Sequence, residues 1–332
     1  MKLFFKKMCW FLLPFFLMIG IYVVIDPYKK IWHHSVYLCD YIMLNRGDVS
    51  THVYLYNRHL YKFNSFIFGS SRSTAFTSSS WSNYLHSPNV PFSYGSWNES
   101  VEGIYNKMAL IDSLNDKLDN AIVIFDVDKT FADQSSYNPI SNDHYLIAKK
   151  SIFDYQLSGI VNYYEDPLTV ITSIDFSLFH KRRKYMTKFI GMKAGDLNPI
   201  NNDWLPNSEK QILSDSVSYY NHTILKKFYN RSTIQRYAPK QITRQQEFFL
   251  MKIKGIFTKK HTRYKIIISP LYDQLKFNPV DFTLLTRIFG SENIYDYSGI
   301  NSKTNNIYNY NNDVIHFRKK LANTIFHEIY TK

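Results

Sequence analysis

Cysteine, glycine and proline are all scarce in this chain of 332 residues. Its two cysteines, Cys9 and Cys39, fit neither a disulfide framework nor a zinc finger. Eleven glycines and eleven prolines exclude a collagen-like repeat and a low-complexity linker. Because 45% of the residues are hydrophobic and 17% are aromatic, the chain can bury enough apolar surface to offset its conformational entropy. We therefore expect a globular protein that is stabilised by an ordinary hydrophobic core.

Acidic residues are also in short supply. There are 27 Asp and Glu against 40 Lys and Arg, which gives a formal net charge of +13. A nucleic-acid-binding protein usually concentrates its basic residues on one helix or patch. In this chain they are spread out, with one short run at 181–184 that fits a solvated basic face. We expect no nucleic-acid partner, and an anionic polymer or surface of the cell envelope fits the charge better.

Only one long uncharged stretch is present, at residues 8–25. At 1.5 Å per residue it reaches about 27 Å, enough to cross the hydrocarbon core of a bilayer. Three lysines precede it, and the Asp-Pro that follows does not resemble the small-residue site of a cleaved signal peptide. We expect 1–27 to be an uncleaved single-pass anchor with its amino terminus in the cytoplasm.

The remainder of the chain is then exported as a soluble domain, in the periplasm or outside the cell. Near-absence of cysteine favours a bacterial envelope over a disulfide-rich secreted protein, so we expect the anchor to lie in the bacterial cytoplasmic membrane.

The exported part alternates between short apolar runs of strand length and helical patterns. Strands are predicted at 63–68, 121–127, 264–269 and 293–297, and helices at 101–118, 284–289 and 317–329. This alternation predicts an α/β fold with three α/β/α layers around a parallel sheet. We divide the chain into the anchor (1–27), a stalk that starts the fold (28–60), a first core part (61–135), a largely helical insertion (136–244) and a second core part (245–332).

Ligand sites of parallel sheets lie at the carboxyl ends of the strands. The first predicted strand ends in Gly69-Ser70-Ser71, where a serine on a tight turn can offer both its hydroxyl and its backbone N–H to one substrate. Asp313 and His316 precede the closing helix at a spacing that lets the carboxylate accept the imidazole Nδ1–H. The simpler interpretations are a Gly/Ser turn and a helix cap.

Together with the anchor, these motifs resemble the SGNH/GDSL hydrolase superfamily. The resemblance is to its envelope-anchored branch, which includes DltD-type and alginate-acetylation-type proteins, and it covers 61–135 and 245–332. It implies an SGNH-like α/β/α domain in which Ser71 is the nucleophile, His316 is the general base and Asp313 orients His316.

Two further sequence blocks of this family are matched less closely. Gly95 and Asn98 align with the two glycines of the second block, so that their backbone N–H groups and that of Ser71 would form the oxyanion hole. Asp128 stands where the third block has an asparagine, and an ionised carboxylate accepts hydrogen bonds but donates none. We expect Asp128 to bind a substrate hydroxyl or Arg72, and Arg72 to take part in substrate binding.

The leading hypothesis is a serine esterase or O-acyltransferase that acts on acyl esters of an envelope or capsular polysaccharide. The alternative is a non-catalytic protein of the same fold, which binds glycan or serves as an accessory subunit of a membrane acyltransferase or polysaccharide-assembly complex. The expected partners are that polysaccharide or an acyl donor, the membrane and, in the second case, the acyltransferase. We expect no cofactor and no metal, since no His, Cys and carboxylate cluster has ligand spacing.

The short basic tail and the single apolar span predict that the carboxyl terminus is exported. Alkaline phosphatase fused to the carboxyl terminus should therefore be active in a bacterial host. An inactive phosphatase fusion together with a fluorescent cytoplasmic reporter at the same position would contradict this topology.

Overall fold

The computed structural model describes residues 1–32, 34, 37, 44–86, 88–131, 143–188 and 195–331. Its contacts divide the chain into two compact units, Met1–Leu44 with Lys149–Ala194 and Asn45–Ala148 with Gly195–Lys332. The expected insertion, 136–244, therefore contributes to both units, and its residues 136–142 lie outside the described residues, as does Cys39.

The chain contains helices of very different lengths. The α-helices are α1 (Lys2–Ile25), α2 (Arg46–Tyr61), α3 (Ser78–Trp81), α4 (Val101–Ser113), α5 (Tyr145–Ala148), α6 (Ile152–Glu165), α7 (Pro167–Phe179), α8 (Asn207–Ser214), α9 (Ser216–Tyr219), α10 (His222–Leu225), α11 (Arg244–Lys259), α12 (Pro279–Phe289), α13 (Ser302–Asn305) and α14 (Lys319–Thr331). Short 3₁₀ helices occur at Ser71–Ala75, Ser82–Tyr84, Lys184–Lys188, Ser291–Asn293 and Ile307–Asn309.

The strands form one large sheet and two small ones. They are β1 (Ser65–Phe68), β2 (Pro91–Ser93), β3 (Asn120–Phe125), β4 (Gly195–Leu197), β5 (Trp204–Pro206), β6 (Arg236–Tyr237), β7 (Arg263–Ile268), β8 (Leu275–Lys276) and β9 (Ile294–Asp296). The large sheet has the order β2-β1-β3-β7-β9, and all its neighbouring strands are parallel. The expected α/β fold with a parallel sheet is thereby confirmed.

The unit that contains the amino terminus includes α1, α6 and α7. Within α1, a window of 18 residues has a mean hydropathy of 2.4 and is only 6% buried. In the described part of the chain, α1 is the one helix long and apolar enough to cross a membrane. It ends at Ile25 and is followed by the C-cap Asp26, which has a φ of 42° and accepts hydrogen bonds from the backbone N–H groups of Lys30, Ile31 and Trp32.

The central strands β1 and β3 are buried on both faces, which explains their apolar runs. All six residues of β3 are buried. Ile122 and Ile124 of β3 belong to a core cluster with Leu321 and Ile325 of α14. On β1, Phe66 packs its ring against Tyr54 of α2, with the centroids 5.7 Å apart. Burying each such side chain stabilises the fold by about 1.5–3 kcal/mol.

The helix predicted at 101–118 is shorter in the structure. It begins as expected, where the Ser100 side chain accepts the backbone N–H of Gly103, but it ends at Ser113. Asn115 then adopts a φ of 56°, which breaks the helical path. Leu118 is buried, so its place in the apolar pattern reflects the core that precedes β3 rather than a continuing helix.

Candidate active site

The turn after β1 carries Ser71 to the carboxyl edge of the sheet. Gly69 has a φ of 150°, and a Cβ there would lie 3.0 Å from both the Cβ and the carbonyl oxygen of Ile124, so the turn requires glycine. Ser70 accepts a hydrogen bond from the backbone N–H of Arg72 at 3.2 Å and caps the 3₁₀ helix that begins at Ser71. The Ser71 side chain is half-buried.

Ser71, His316 and Asp313 form a continuous line of hydrogen bonds. The distance from Ser71 Oγ to His316 Nε2 is 2.8 Å, and that from His316 Nδ1 to Asp313 Oδ2 is 2.6 Å. The other carboxylate oxygen of Asp313 accepts the backbone N–H groups of Ile315 and His316, each at 3.0 Å. The structure thus brings together the three residues that the sequence predicted as a catalytic set.

The carboxylate fixes the tautomer of His316. Burial alone would raise the pKa of Asp313, but the hydrogen bonds and charge from His316 outweigh it and lower the pKa below its ordinary value. Asp313 is therefore ionised at neutral pH and can only accept hydrogen bonds. In the neutral imidazole, Nδ1 of His316 carries the proton that is donated to Asp313, and Nε2 is left to accept the hydroxyl proton of Ser71.

Val314 holds an unusual backbone conformation between the acid and the base. Its φ is 53°, a left-handed value that a β-branched residue rarely adopts. Such a conformation costs about 1–3 kcal/mol and persists only where neighbouring contacts enforce it. Here the backbone N–H of Val314 donates to Asn311 at 3.0 Å, and its side chain packs on the cluster that includes α14.

Arg72 connects the turn that carries Ser71 (the serine turn) to the turn that carries Asp313 and His316 (the histidine turn). Its two terminal nitrogens donate to the two carboxylate oxygens of Asp128 at 2.5 and 3.1 Å, and its Nε donates to the carbonyl oxygen of Ile315 at 3.1 Å. Burial opposes the charge on Arg72, but Asp126 and Asp128 outweigh it and raise the pKa further. Asp128 thus contacts Arg72, one of its two expected partners. Substrate binding by Arg72 and Asp128 stays a prediction.

Asp126 is a buried carboxylate that supports the site, and no sequence motif marks it. Its side chain is fully buried at the end of β3. It accepts hydrogen bonds from the hydroxyls of Ser70 and Ser269, the latter at 2.6 Å, and lies 3.4 Å from a terminal nitrogen of Arg72. The sequence does contain one sign of this role, a carboxylate directly after a buried strand. Such a group must find hydrogen-bond partners at the strand ends.

The segment after β2 lies directly against the serine turn. A Cβ on Gly95 would come within 2.4 Å of Ser73 Oγ and 3.1 Å of the Gly69 carbonyl oxygen, so a side chain there would force Ser73 and the turn to shift. The backbone N–H of Ser96 donates to that same carbonyl at 3.1 Å. Asn98 is exposed and has a φ of 50°, a conformation that glycine and asparagine adopt most readily. The oxyanion-hole roles of Ser71, Gly95 and Asn98 stay predictions.

A buried ion pair holds both ends of this segment. Lys107 of α4 is fully buried, donates to the carbonyl oxygen of Tyr94 at 3.2 Å and pairs with Glu99. Burial raises the pKa of Glu99 to about 7, and Asp143 adds to this while Lys107 opposes it. The sequence alone does not reveal this pair, because no periodicity marks a charged residue that is buried.

The described residues include no group of three or more His, Cys, Asp and Glu side chains placed to hold a metal ion. A serine hydroxyl, an imidazole and an ionised carboxylate in hydrogen-bonding sequence are suited to acyl transfer. No protein-family model matches this chain, and no curated protein matches it either.

Replacing Gly95 with alanine should disturb the serine turn. Ser73 Oγ donates to the carbonyl oxygen of Ser70 at 2.7 Å, so it cannot move away from a new Cβ without losing that bond. We expect Gly95→Ala to lower the free energy of unfolding by about 1–3 kcal/mol. Gly255→Ala in α11 is the matched control, because no atom lies within 4 Å of its new Cβ.

That control should raise the stability by about 0.5–1 kcal/mol, because alanine restricts the unfolded chain more than glycine does. Urea unfolding of the full chain in detergent measures both variants. A Gly95→Ala protein that unfolds like the wild type would contradict the close packing.

The lowered pKa of Asp313 predicts an acid-dependent loss of stability. An aspartate with a lowered pKa stabilises the fold above its ordinary pKa, about 3.9, and loses that contribution as the pH falls through the folded value. Because the side chain is 43% exposed, we expect less than about 1 kcal/mol. The stability difference between the wild type and Asp313→Asn should narrow below about pH 4. A difference that stays constant from pH 7 to pH 3 would contradict the assignment.

Proposed function

We propose that this chain is a membrane-anchored serine esterase or O-acyltransferase of the SGNH/GDSL type, acting on acyl esters of an envelope or capsular polysaccharide. The observation that carries the proposal is the hydrogen-bonded line from Ser71 through His316 to Asp313. Nucleophile, base and orienting carboxylate are the arrangement that acyl transfer through a serine requires. The parallel order of the large sheet and the core contacts of β1 and β3 support an α/β/α arrangement of the SGNH type.

In the first half-reaction, Ser71 Oγ attacks the acyl carbonyl carbon while His316 Nε2 takes the hydroxyl proton. Asp313 accepts the Nδ1–H of His316 and stabilises the imidazolium that forms. The tetrahedral intermediate then collapses. Its bond to the leaving alkoxide breaks, and His316 gives the proton to that oxygen. The products are a free hydroxyl on the donor and an acyl ester on Ser71.

In the second half-reaction, His316 takes a proton from the acceptor as the acceptor oxygen attacks the acyl-serine carbonyl. The tetrahedral intermediate then collapses, the bond between the carbonyl carbon and Ser71 Oγ breaks, and His316 returns the proton to Ser71 Oγ. With water as the acceptor the product is a carboxylic acid, and with a sugar hydroxyl it is a new ester. Backbone N–H groups of Ser71, Gly95 and Asn98 would hold the oxyanion in both halves. Such donors contribute most when they are held in place before the reaction, and the Lys107–Glu99 pair supports the segment that carries two of them.

The anchor and the charge favour an envelope substrate. An apolar α1 keeps the soluble unit near a membrane, and a net charge of +13 favours an anionic polymer. We therefore assign the site to the outer side of a bacterial cytoplasmic membrane.

One observation favours a second candidate, a non-catalytic glycan-binding or accessory subunit. Asp128, which stands at the third-block position, is paired with Arg72 and offers no hydrogen-bond donor for an oxyanion. A site with fewer donors would bind glycan without efficient turnover. Under this candidate the partner is a membrane acyltransferase or a polysaccharide-assembly complex.

A fluorophosphonate probe separates the two candidates, because it reacts with a serine only when a base activates it. We expect the full chain to be labelled and Ser71→Ala to be unlabelled. Ser82→Ala, which removes an exposed serine of another turn, should be labelled like the wild type. A folded wild-type protein that stays unlabelled would contradict the catalytic proposal and favour the binding subunit.

Kinetics of an acetylated oligosaccharide test the three residues as one unit. We expect Ser71→Ala and His316→Ala each to lower kcat by about 10⁴–10⁶-fold, and the double variant to be no worse, because both changes disable the same step. Asp313→Asn should retain a small activity. A His316→Ala protein that melts normally and keeps full activity would show that His316 is not the general base. The Asp313–His316 motif would then be interpreted as a helix cap.

A further inference from the structure

Residues 149–188 pack on the anchor helix. The hydroxyl of Tyr164 in α6 donates to the carbonyl oxygen of Met18 in α1, and the ring of Tyr163 lies 5.5 Å from that of Tyr22. A Cβ on Gly159 would come within 2.3 Å of the Tyr22 hydroxyl, so α6 approaches α1 closely. These contacts join α6 to the amino-terminal helix α1, although α6 lies far beyond the serine turn in the sequence.

The contacts lie within the apolar length of α1. Met18 precedes the last residue of α1, Ile25, by about 10 Å at 1.5 Å per residue. If α1 spans a bilayer, as proposed above, α6 therefore lies beside a part of α1 that is within the bilayer or its interface.

The faces of α6 and α7 that point away from these contacts are apolar. On α6, Phe153 is 70% exposed and is followed at four-residue intervals by Leu157 and Val161, both also exposed. On α7, Ile171 is exposed and Leu178 is 69% exposed. Large contiguous apolar surfaces of this kind mark a contact with another molecule or with lipid.

An apolar cavity continues the same surface. It has a volume of about 620 Å³ and lies between α1 and α7. Residues of α1 from Leu13 to Ile25 line it on one side, and Ile174, Ser177 and Leu178 of α7 line the other. With Ser177 as its one polar lining residue, the cavity suits a hydrocarbon chain better than a polar ligand.

Helices α6 and α7 are joined at Asp166 and form a helical hairpin, with charged residues at its ends. The run Lys181-Arg182-Arg183-Lys184 directly follows α7, and all four side chains are exposed. Basic clusters beside a membrane helix attract anionic headgroups. Asp154 and Glu165 are exposed on α6, and the cost of burying a charge in hydrocarbon keeps such a helix at the interface.

We propose that α6, α7 and the basic run 181–184 form a second membrane-contacting element, which lies in the interface beside α1. Phospholipid acyl chains cover the apolar faces and enter the cavity between α1 and α7, and anionic headgroups bind the basic run. This inference rests on the proposed membrane anchor and not on the proposed catalytic activity. It commits the apolar surface to phospholipid rather than to a protein partner.

Spin labels on the full chain in vesicles test the proposal. Cys9→Ser and Cys39→Ser remove the native thiols, and the labels are placed at Phe153→Cys and Leu178→Cys. Phe15→Cys on α1 reports the anchor, and Val217→Cys on α9, which is 85% exposed, is the control for water. In vesicles of phosphatidylglycerol and phosphatidylethanolamine, labels at 153 and 178 should collide with oxygen more often than with a water-soluble nickel chelate. The label at 15 should behave in the same way, and the label at 217 should collide more often with the nickel chelate.

The outcomes separate the two proposals. Lipid exposure at 15 with water exposure at 153 and 178 would overturn the hairpin inference and leave the anchor in place. Water exposure at 15 as well would overturn both. A melting temperature equal to that of the unlabelled protein shows that each labelled variant is folded.

The basic run has a test of its own. Lys181→Gln with Lys184→Gln should raise nickel accessibility at 178 in vesicles that contain phosphatidylglycerol, because the hairpin then binds anionic headgroups less tightly. The same pair of changes should have no effect in vesicles of phosphatidylcholine alone. An equal effect in both kinds of vesicle, or none in either, would overturn the headgroup contact.

Discussion

A single buried carboxylate determines how the carboxyl edge of the sheet is arranged. Asp126 lies at the end of an apolar strand, where an unpaired acceptor would cost several kcal/mol, on the order of 2–7 even for an uncharged group. Its partners are Ser70 after β1, Ser269 after β7 and the guanidinium of Arg72. Because Ser70 and Arg72 follow β1 and Ser269 follows β7, the hydrogen bonds of this one group link the ends of three strands.

The same network reaches the catalytic candidate. Arg72 contacts both Asp126 and the carbonyl oxygen of Ile315, the residue that precedes His316. Serine and imidazole are 245 positions apart in the sequence, yet their side chains meet at 2.8 Å. Two kinds of contact join the turns. Arg72 bridges them through hydrogen bonds, and Phe76 packs its ring against Phe317 with the centroids 5.7 Å apart.

The sequence predicts those features that repeat or that have a local cause. The strands β3 and β7 follow from continuous apolar runs. Turn chemistry points to a serine after β1 and to the pair Asp313 and His316, and the family resemblance selects Ser71 among the neighbouring serines. Helix α2 could not be predicted this way, because it buries polar groups such as Asp48 and so has no apolar stripe. The Lys107–Glu99 pair and the packing of α6 on α1 are tertiary facts with no periodic signal.

Val314 combines a strained backbone with a side chain that packs on the core, at a position between the acid and the base of the site. A glycine there would adopt the φ of 53° without strain, yet it would remove the side chain that packs on the cluster around α14. Replacing Val314 with glycine would therefore have two opposing effects on the free energy of unfolding, because it relieves backbone strain and removes core packing. Substitutions in the part of α14 that contacts Val314 therefore change the packing of a residue that lies between the acid and the base.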